Sequence, residues 1–279
     1  MLDAGMHYAY ADTPLGQLHY AECGQGEPLV LLHQTPRSLD EFREVQPLLA
    51  DGRRVIAMDM YGFGMSAKPP AGPQRIEQYA AGVIALADAL GLTRFAVLGH
   101  HTGMYVASEV AASAPDRISA AIFSAGGFAD EAFRAERRRR ATAADQAHAV
   151  DVAALSADGD HLRELWAKRR PDYPGGRPDL LNRFIRDALA PGVDPAEGHR
   201  AVARYVMEAR VALVTAPLLV LAGTEDPTAY PHLAGVASAY PAAASIKVVE
   251  IEGGHIPLME DKMVEVVAVV NQFLTSLGL

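Results

Sequence analysis

One stretch, residues 95–103 (FAVLGHHTG), decides the fold of this chain. It begins with four apolar residues in a row, which is typical of a strand buried on both faces. A tight turn flanked by Gly99 and Gly103 follows, and a helical pattern starts at about Met104. The residue in the middle of the turn, His101, is therefore expected on a strained backbone, which histidine tolerates better than most residues with a side chain.

Short apolar runs of the same kind recur on both sides of this stretch. They lie at residues 28–32, 55–58, 118–123, 217–221 and 245–249. Amphipathic stretches such as residues 76–90 and 105–114 separate them. Strands that alternate with helices indicate βαβ units, so the sequence predicts an α/β fold with a mostly parallel sheet. Residues 7–11 and 17–22 come first and predict a β-hairpin, which we expect at an antiparallel edge.

The strand pattern stops at residue 128 and resumes at about residue 215. Residues 129–214 are rich in Ala, Arg, Asp and Leu and contain no convincing buried strand, so they predict several inserted helices. We therefore expect one α/β core, residues 1–128 and 215–279, interrupted by a helical cap at residues 129–214. The charge run Arg137–Arg140 is interpreted as a solvated helix face, because the chain as a whole is acidic.

The composition is that of a globular protein and limits its partners. Of the 279 residues 50% are hydrophobic, and 34 acidic against 25 basic residues give a net charge of −9. An acidic chain argues against nucleic acid and anionic membranes as partners. The single cysteine, Cys23, excludes an intramolecular disulfide and any multi-cysteine metal site. No signal peptide and no apolar run of membrane-spanning length are visible, so we expect a cytoplasmic protein. We expect its partner to be a small molecule. The sequence leaves the oligomeric state open, and a homodimer is one option.

At five places the sequence resembles the α/β-hydrolase fold family, and the resemblance covers nearly the whole chain. In chain order these are an HGxP-type oxyanion loop at residues 31–36 (LLHQTP), a strand and D-x-x-G-x-G-x-S turn at 54–66, the nucleophile elbow G-x-S-x-G at 99–103 (GHHTG), a G-x-x-D loop at 223–226 and a Gly-Gly-His loop at 253–255. Each motif alone is weak, but five in the right order favour this fold strongly. The resemblance implies an α/β-hydrolase core with an inserted cap.

The resemblance also implies a catalytic centre of position 101, Asp226 and His255, in the family's order of nucleophile, acid and histidine. The sequence departs from the family at position 101, where His101 stands in place of Ser, Cys or Asp. Gly99 and Gly103 fix the register of the turn, so we expect the site to remain at this position.

Three kinds of chemistry are compatible with a histidine at the elbow. A neutral His101 imidazole can attack an ester, thioester, lactone or C–C bond beside a carbonyl, while Asp226 holds His255 in the tautomer that activates water. This hydrolytic reaction is our first expectation. Alternatively, His101 and His255 act as acid and base in a cofactor-free lyase, decarboxylase or oxygenase reaction. In the third case the chain binds a small ligand without turnover.

Further residues are expected around this centre. The oxyanion would be stabilised by N–H groups of Thr102 and of the loop at Gln34 and Thr35, where Gln34 replaces the family's glycine. The candidate substrate-pocket residues are His33, His100, Trp166, Tyr173, Tyr205 and Ile256. We expect no metal, because His33 and His100 stand where this family commonly has structural histidines. We expect no organic cofactor, because no G-x-G-x-x-G fingerprint follows a strand in a dinucleotide-binding context.

Overall fold

The computed structural model describes residues 5–140 and 155–279, and only the backbone of residues 137–140. Its centre is an eight-stranded sheet with the order β1-β2-β4-β3-β5-β6-β7-β8. The strands are β1 (His7–Thr13), β2 (Gly16–Cys23), β3 (Glu27–Leu32), β4 (Arg53–Met58), β5 (Phe95–His100), β6 (Ile118–Ser124), β7 (Leu218–Gly223) and β8 (Ile246–Ile251). The pairs β1–β2 and β2–β4 are antiparallel, and the remaining pairs are parallel. The predicted mostly parallel sheet with an antiparallel hairpin at its edge is confirmed.

Ten α-helices lie in the described residues. They are α1 (Gln46–Leu49), α2 (Ile76–Ala89), α3 (Thr102–Ser113), α4 (Glu131–Arg140), α5 (Asp160–Arg169), α6 (Pro178–Ala188), α7 (Glu197–Arg204), α8 (Leu233–Ala237), α9 (Leu258–Asp261) and α10 (Met263–Ser276). Short 3₁₀ helices are Leu39–Phe42, Pro115–Arg117, Arg170–Asp172, Met207–Ala209, Val211–Leu213 and Tyr230–His232. Among the helices of this described part, none is long and apolar enough to cross a membrane.

The hydrophobic core has two layers, one on each face of the sheet. Successive side chains of a strand point to opposite faces. In β3, Val30 and Leu32 pack with residues of α2 and α3, whereas Leu29 and Leu31 pack with residues of α1 and α10 on the other face. Every residue of β5, β6 and β7 is buried. Burial on both faces explains why these strands read as unbroken apolar runs.

Two glycines allow the turn after β5 to pack directly against β3. A Cβ atom on Gly103 would overlap the backbone carbonyl of Leu32, and one on Gly99 would overlap the backbone carbonyl of Gly103. Neither overlap can be relieved by a side-chain rotation, because the atoms in the way are backbone. The first turn of α3 is therefore held against the carboxyl ends of β3 and β5.

Helices α4 to α7 lie between β6 and β7, within the segment that the sequence predicts as a cap. Their described residues include no strand, and the boundaries at residues 128 and 215 stay a prediction. The side chains of Arg137–Arg140, interpreted above as a solvated helix face, lie outside the described residues. Helix α6 approaches the segment that follows β3.

A group of buried ions joins helix α6 to the core. The Arg37 side chain is fully buried, and its Nε donates to Asp187 Oδ2 of α6 at 2.9 Å. Its Nη2 donates to Glu260 Oε1 of α9, also at 2.9 Å. One guanidinium thus links three segments, and a buried arginine is tolerated because each carboxylate offsets part of its lost hydration.

A second ion group lies beside the first. Asp40 Oδ2 is 2.7 Å from Arg183 Nε and 2.8 Å from Arg186 Nη2, both on α6. Burial by itself raises the pKa of Asp40, but the two arginines outweigh it and lower the pKa from 3.8 to about 2. The carboxylate is therefore more stable in the folded chain than in the unfolded one.

This shift predicts a loss of stability in acid. A carboxyl with a lowered folded pKa stabilises the fold above its unfolded pKa of about 3.9, and the contribution disappears as the pH falls through the folded pKa. We expect Asp40 to account for about 2 kcal/mol of the fall in unfolding free energy between about pH 4 and pH 2. Urea denaturation across this pH range should show that the unfolding free energy of Asp40→Asn depends less steeply on pH than that of the wild type. Asp116→Asn, at an exposed carboxyl, should keep the wild-type slope, and equal slopes for both variants would contradict the assignment.

Candidate active site

The turn between β5 and α3 holds His101 in a conformation that few residues with a side chain adopt. Its φ is 48° and its ψ is −113°. The backbone N–H of His101 donates to Ser124 O at 2.9 Å, and its carbonyl accepts from Met104 N at 2.9 Å. The strained backbone is thus fixed from β6 and from α3, and the His101 side chain is left 18% exposed.

The His101 imidazole lies against the Asp226 carboxylate. His101 Nε2 is 2.9 Å from Asp226 Oδ2, at a short ion-pair distance but without the alignment of a linear hydrogen bond. Asp226 is 1% exposed, and its other oxygen, Oδ1, accepts from Thr228 N, Thr228 Oγ1 and Ala229 N at 2.9, 2.8 and 3.1 Å. Burial raises the pKa of Asp226, but the His101 ring and the Thr228 donors lower it well below its ordinary value.

His255 has a different carboxylate partner. Its Nδ1 is 3.2 Å from Asp261 Oδ2, so the expected pairing of His255 with Asp226 is not the one that the structure has. The physical reason is that Oδ1 of Asp226 is saturated by three donors and Oδ2 is taken by His101. Asp261 stands six residues after His255 in the sequence, next to Glu260. Nothing in the sequence indicates which of these two carboxylates faces His255.

Two neighbouring histidines are buried, and both of their ring nitrogens are used by the protein. His33 Nε2 accepts from Met60 N at 2.9 Å, so its Nδ1 carries the proton and donates to Gln34 O at 2.7 Å. His100 Nε2 donates to Ile256 O at 2.8 Å, and Nδ1 accepts from Ser124 Oγ at 2.9 Å. Both rings are held neutral, because burial lowers the pKa of His33 and lowers that of His100 to about 3.

These contacts give His33, His100 and Ile256 supporting positions around the site. The His100–Ile256 bond ties the loop that carries His255 to the elbow, and the His100 and His101 rings lie 4.6 Å apart edge to face. Within residues 5–140 and 155–279, no group of three or more His, Cys, Asp or Glu side chains is arranged to hold a metal ion.

The oxyanion loop differs from the expectation at Gln34. Its backbone N–H donates to Glu41 Oε2 and its side-chain Nε2 to Glu41 Oε1, both at 2.7 Å. The Gln34 N–H is therefore not free to stabilise an oxyanion. Thr35 Oγ1 and Thr102 Oγ1 lie 2.8 Å apart, and in the described part of the chain the backbone N–H groups of these two threonines have no acceptor. Thr35 and Thr102 remain as the candidate donors.

Sequence reasoning missed Glu41, which is fully buried beneath this loop. Burial raises its pKa to about 7, although Arg37 and the two Gln34 donors oppose the rise. The signal that could have found it is the glutamine itself: a buried amide in place of glycine needs a polar partner, and the chain places a glutamate seven residues later.

The three aromatic residues predicted for the pocket are held mainly by packing. Trp166 and Tyr173 lie in a small apolar cluster with Phe184 of α6. Tyr173 is 5% exposed, and its hydroxyl has no hydrogen-bond partner among the described residues. The Tyr205 hydroxyl donates to Glu109 Oε2 of α3 at 2.9 Å, so it joins the inserted helices to the core.

A family profile described as "alpha/beta hydrolase fold" matches residues 27–262. The chain belongs to this family. Among its curated relatives, haloalkane dehalogenase 2 of Mycobacterium tuberculosis is 32% identical over 107 residues, which span 38% of this chain and 37% of the relative. The 2-hydroxy-6-oxononadienedioate/2-hydroxy-6-oxononatrienedioate hydrolase 1 of Dechloromonas aromatica is 28% identical over 225 residues, 75% of this chain and 74% of the relative.

Solved structures of the family share the fold of this chain. The enol-lactonase from Burkholderia xenovorans LB400 superposes with a TM-score of 0.72 at 23% identity, over 96% of this chain and all of that one (100%). The epoxide hydrolase CorEH superposes with a TM-score of 0.76 at 22% identity, over 98% and 99% of the two chains. At this level of identity the likeness establishes the α/β-hydrolase fold alone.

Within this family fold, the site contains two imidazole–carboxylate pairs. His101 of the elbow faces Asp226 of the loop after β7, and His255 of the loop after β8 faces Asp261 of α9. Because His101 Nε2 faces Asp226, a ring protonated on Nε2 has its lone pair on Nδ1, which has no partner in the described residues. The arrangement can therefore offer a base at the elbow and a second imidazole, His255, that has its own carboxylate partner.

The pairing predicts how the Asp226 carboxyl responds to each histidine. We expect His101→Ala to raise the pKa of Asp226, because burial remains while the facing ring is removed. A ¹³C NMR titration of the aspartate carboxyl carbons, assigned with Asp226→Asn, measures this shift. His255→Ala is the matched control and should leave the Asp226 signal unchanged, whereas a larger response to His255→Ala would show that the pairing is the reverse.

Proposed function

We propose that the chain is a hydrolase that cleaves an ester, thioester, lactone or C–C bond of a small carbonyl compound, with His101 as its general base. The observation that carries this proposal is the 2.9 Å contact between His101 Nε2 and Asp226 Oδ2. A carboxylate that faces one ring nitrogen of a histidine sets the tautomer and leaves the other nitrogen as the base. Here that base stands at the elbow itself.

His101 activates water in the proposed reaction. Nδ1 removes a proton from a water molecule, whose oxygen attacks the substrate carbonyl, and Asp226 stabilises the imidazolium that forms. Base catalysis suits the geometry better than nucleophilic attack by His101. In the covalent route expected from the sequence Asp226 orients His255, whereas here Asp226 faces His101 and supports that ring as a base.

The negative charge that develops on the carbonyl oxygen needs donors that are already in place. The N–H groups of Thr35 and Thr102 meet this need, because the two residues are in contact through their hydroxyls. Thr102 is also the first residue of α3, where a backbone N–H has no partner within the helix and the helix dipole favours negative charge.

His255 serves as the general acid in this scheme. Its ring is 33% exposed, so it can exchange protons with solvent, and Asp261 orients it through Nδ1. As an imidazolium with its Nδ1–H on Asp261, His255 gives its Nε2 proton to the leaving group when the tetrahedral intermediate collapses, and it regains a proton from solvent. In this scheme the inserted helices act as the cap, and the Arg37–Asp187 contact fastens helix α6 to the core.

The names of the relatives support hydrolysis as the class of reaction. They are a dehalogenase, hydrolases of epoxides and of a dioate, and a lactonase, and they differ in what they cleave. The matched segment covers little more than a third of the dehalogenase, so the hydrolase assignment for this chain is a proposal. No organic cofactor or metal takes part in the proposed steps.

A second candidate is cofactor-free acid–base chemistry of the lyase type. It is favoured by the separate carboxylates of the two histidines, which let one ring act as base while the other acts as acid. The products distinguish the two candidates, because only hydrolysis incorporates an oxygen atom from ¹⁸O-labelled water into the acid product.

The proposal predicts a distinct rank order of variants in hydrolysis of 4-nitrophenyl acetate. We expect His101→Ala to lower kcat/KM by about 10²–10⁴-fold, the usual contribution of a general base. Asp226→Asn should cause a loss of the same order, whereas Asp261→Asn should cost less because this activated leaving group needs little acid assistance. His7→Ala, at a ring 66% exposed on β1, is the control and should match the wild type. Full activity of His101→Ala would refute the proposal.

A trapping experiment separates a base from a nucleophile. If His101 is a base, no acyl group becomes attached to it. His255→Ala, mixed with 4-nitrophenyl acetate and quenched in acid, should give an unmodified peptide around residue 101 in mass spectrometry. An acetyl adduct that forms on His101 at the rate of nitrophenol release would instead assign nucleophilic catalysis.

A further inference from the structure

Both carboxylate oxygens of Glu41 accept hydrogen bonds from Gln34 of the oxyanion loop. The Glu41 side chain is fully buried, and each carboxylate oxygen accepts a hydrogen bond from Gln34: Oε2 from the backbone N–H and Oε1 from the side-chain amide, both at 2.7 Å. Hydrogen bonds to a carboxylate are stronger than those between neutral groups. Gln34 is thus held by backbone and side chain at once.

The remaining polar group of the Gln34 backbone is also engaged. Gln34 O accepts from Arg37 N at 3.0 Å and from His33 Nδ1 at 2.7 Å. With its N–H on Glu41 and its carbonyl shared by two donors, Gln34 has little freedom to rotate. The Thr35 N–H belongs to the same planar peptide unit as the Gln34 carbonyl. The direction of this N–H therefore depends on how Gln34 is held.

The Thr35 side chain is held independently of Gln34. Its hydroxyl lies 2.8 Å from the Thr102 hydroxyl. Helix α7 packs against it so closely that a Cβ on Gly198 would overlap the Thr35 side chain. These contacts place the side chain of Thr35 but leave the orientation of its N–H to the preceding peptide.

We propose that Glu41 is a positioning residue of the active site: by holding Gln34 it aims the Thr35 N–H at the carbonyl oxygen of the substrate. The proposal rests on the proposed function, because it gives Glu41 a task in that reaction. Glu41 does not touch the substrate. Its carboxylate supplies, through two hydrogen bonds, the fixed loop geometry that oxyanion stabilisation requires.

Charge could explain an effect of Glu41 as well as geometry, so the test separates the two. In the double variant Gln34→Glu with Glu41→Gln, the side chains keep their mutual hydrogen bond with donor and acceptor exchanged. The amide oxygen at position 41 can still accept the backbone N–H of residue 34. The charge therefore moves to the other side chain while both contacts remain.

The experiment compares Glu41→Gln, the double variant and the control Glu44→Gln. Glu44 is three residues from Glu41 and binds Arg183 at 2.7 Å, and it makes no contact with Gln34. Two kinds of measurement are made on each protein: kcat and KM with 4-nitrophenyl acetate, and the amide resonances of residues 34 and 35 in a ¹⁵N-labelled sample. The spectra also report whether each variant is folded.

We expect Glu41→Gln to shift the Gln34 amide proton upfield and to lower kcat by about 10- to 100-fold with KM nearly unchanged. This is less than the loss of about 10²–10³-fold that follows removal of an oxyanion donor. The double variant should recover most of kcat, and Glu44→Gln should resemble the wild type in both measurements.

Three results would overturn the proposal: unchanged Gln34 and Thr35 amides in Glu41→Gln, equal losses in Glu41→Gln and Glu44→Gln, or shifted amides with an unchanged kcat. A wild-type protein without esterase activity would count against the proposed function instead. The amide resonances would then decide by themselves whether Glu41 sets the loop.

Discussion

The contact between His101 and Asp226 determines how the rest of the site is arranged. Asp226 has one carboxylate oxygen bound by three local donors and only one oxygen to offer to a more distant group. An imidazole at the apex of the elbow reaches that oxygen at 2.9 Å. The other imidazole of the site, His255, has a carboxylate partner of its own, Asp261. The two histidines therefore lie against separate carboxylates.

Buried charge holds the loops of this site together. Arg37 follows the oxyanion loop, Asp187 belongs to α6, and Glu260 precedes the partner of His255 by one residue. The cost of burying such ions is high, and removing one partner of a buried set leaves an uncompensated charge. The segments therefore stay in register with one another, because separation of any one of them would expose that imbalance.

The fold could be predicted from the sequence because its signals are local. The apolar runs give the strands, and the close approach of Gly99 and Gly103 to backbone carbonyls explains why the turn needs glycine on both sides of His101. Which histidine faces which carboxylate could not be predicted in the same way. That choice depends on the reach of side chains and on competition for one oxygen of Asp226, and neither is a property of residue spacing.

The loop at Gln34 is a second place where side-chain contacts, and not residue spacing, decide the arrangement of the site. A glycine at that position would need no partner, but a buried glutamine amide must be hydrogen-bonded. Glu41 answers this requirement and takes the backbone N–H as well, so the donor expected at Gln34 is used by the protein itself. What remains is one N–H from Thr35 and one from Thr102, brought together by their touching hydroxyls. The positive end of the α3 dipole lies at Thr102 and favours negative charge beside this pair. In the proposed reaction, the base at the elbow and these two donors let water attack a carbonyl without a serine.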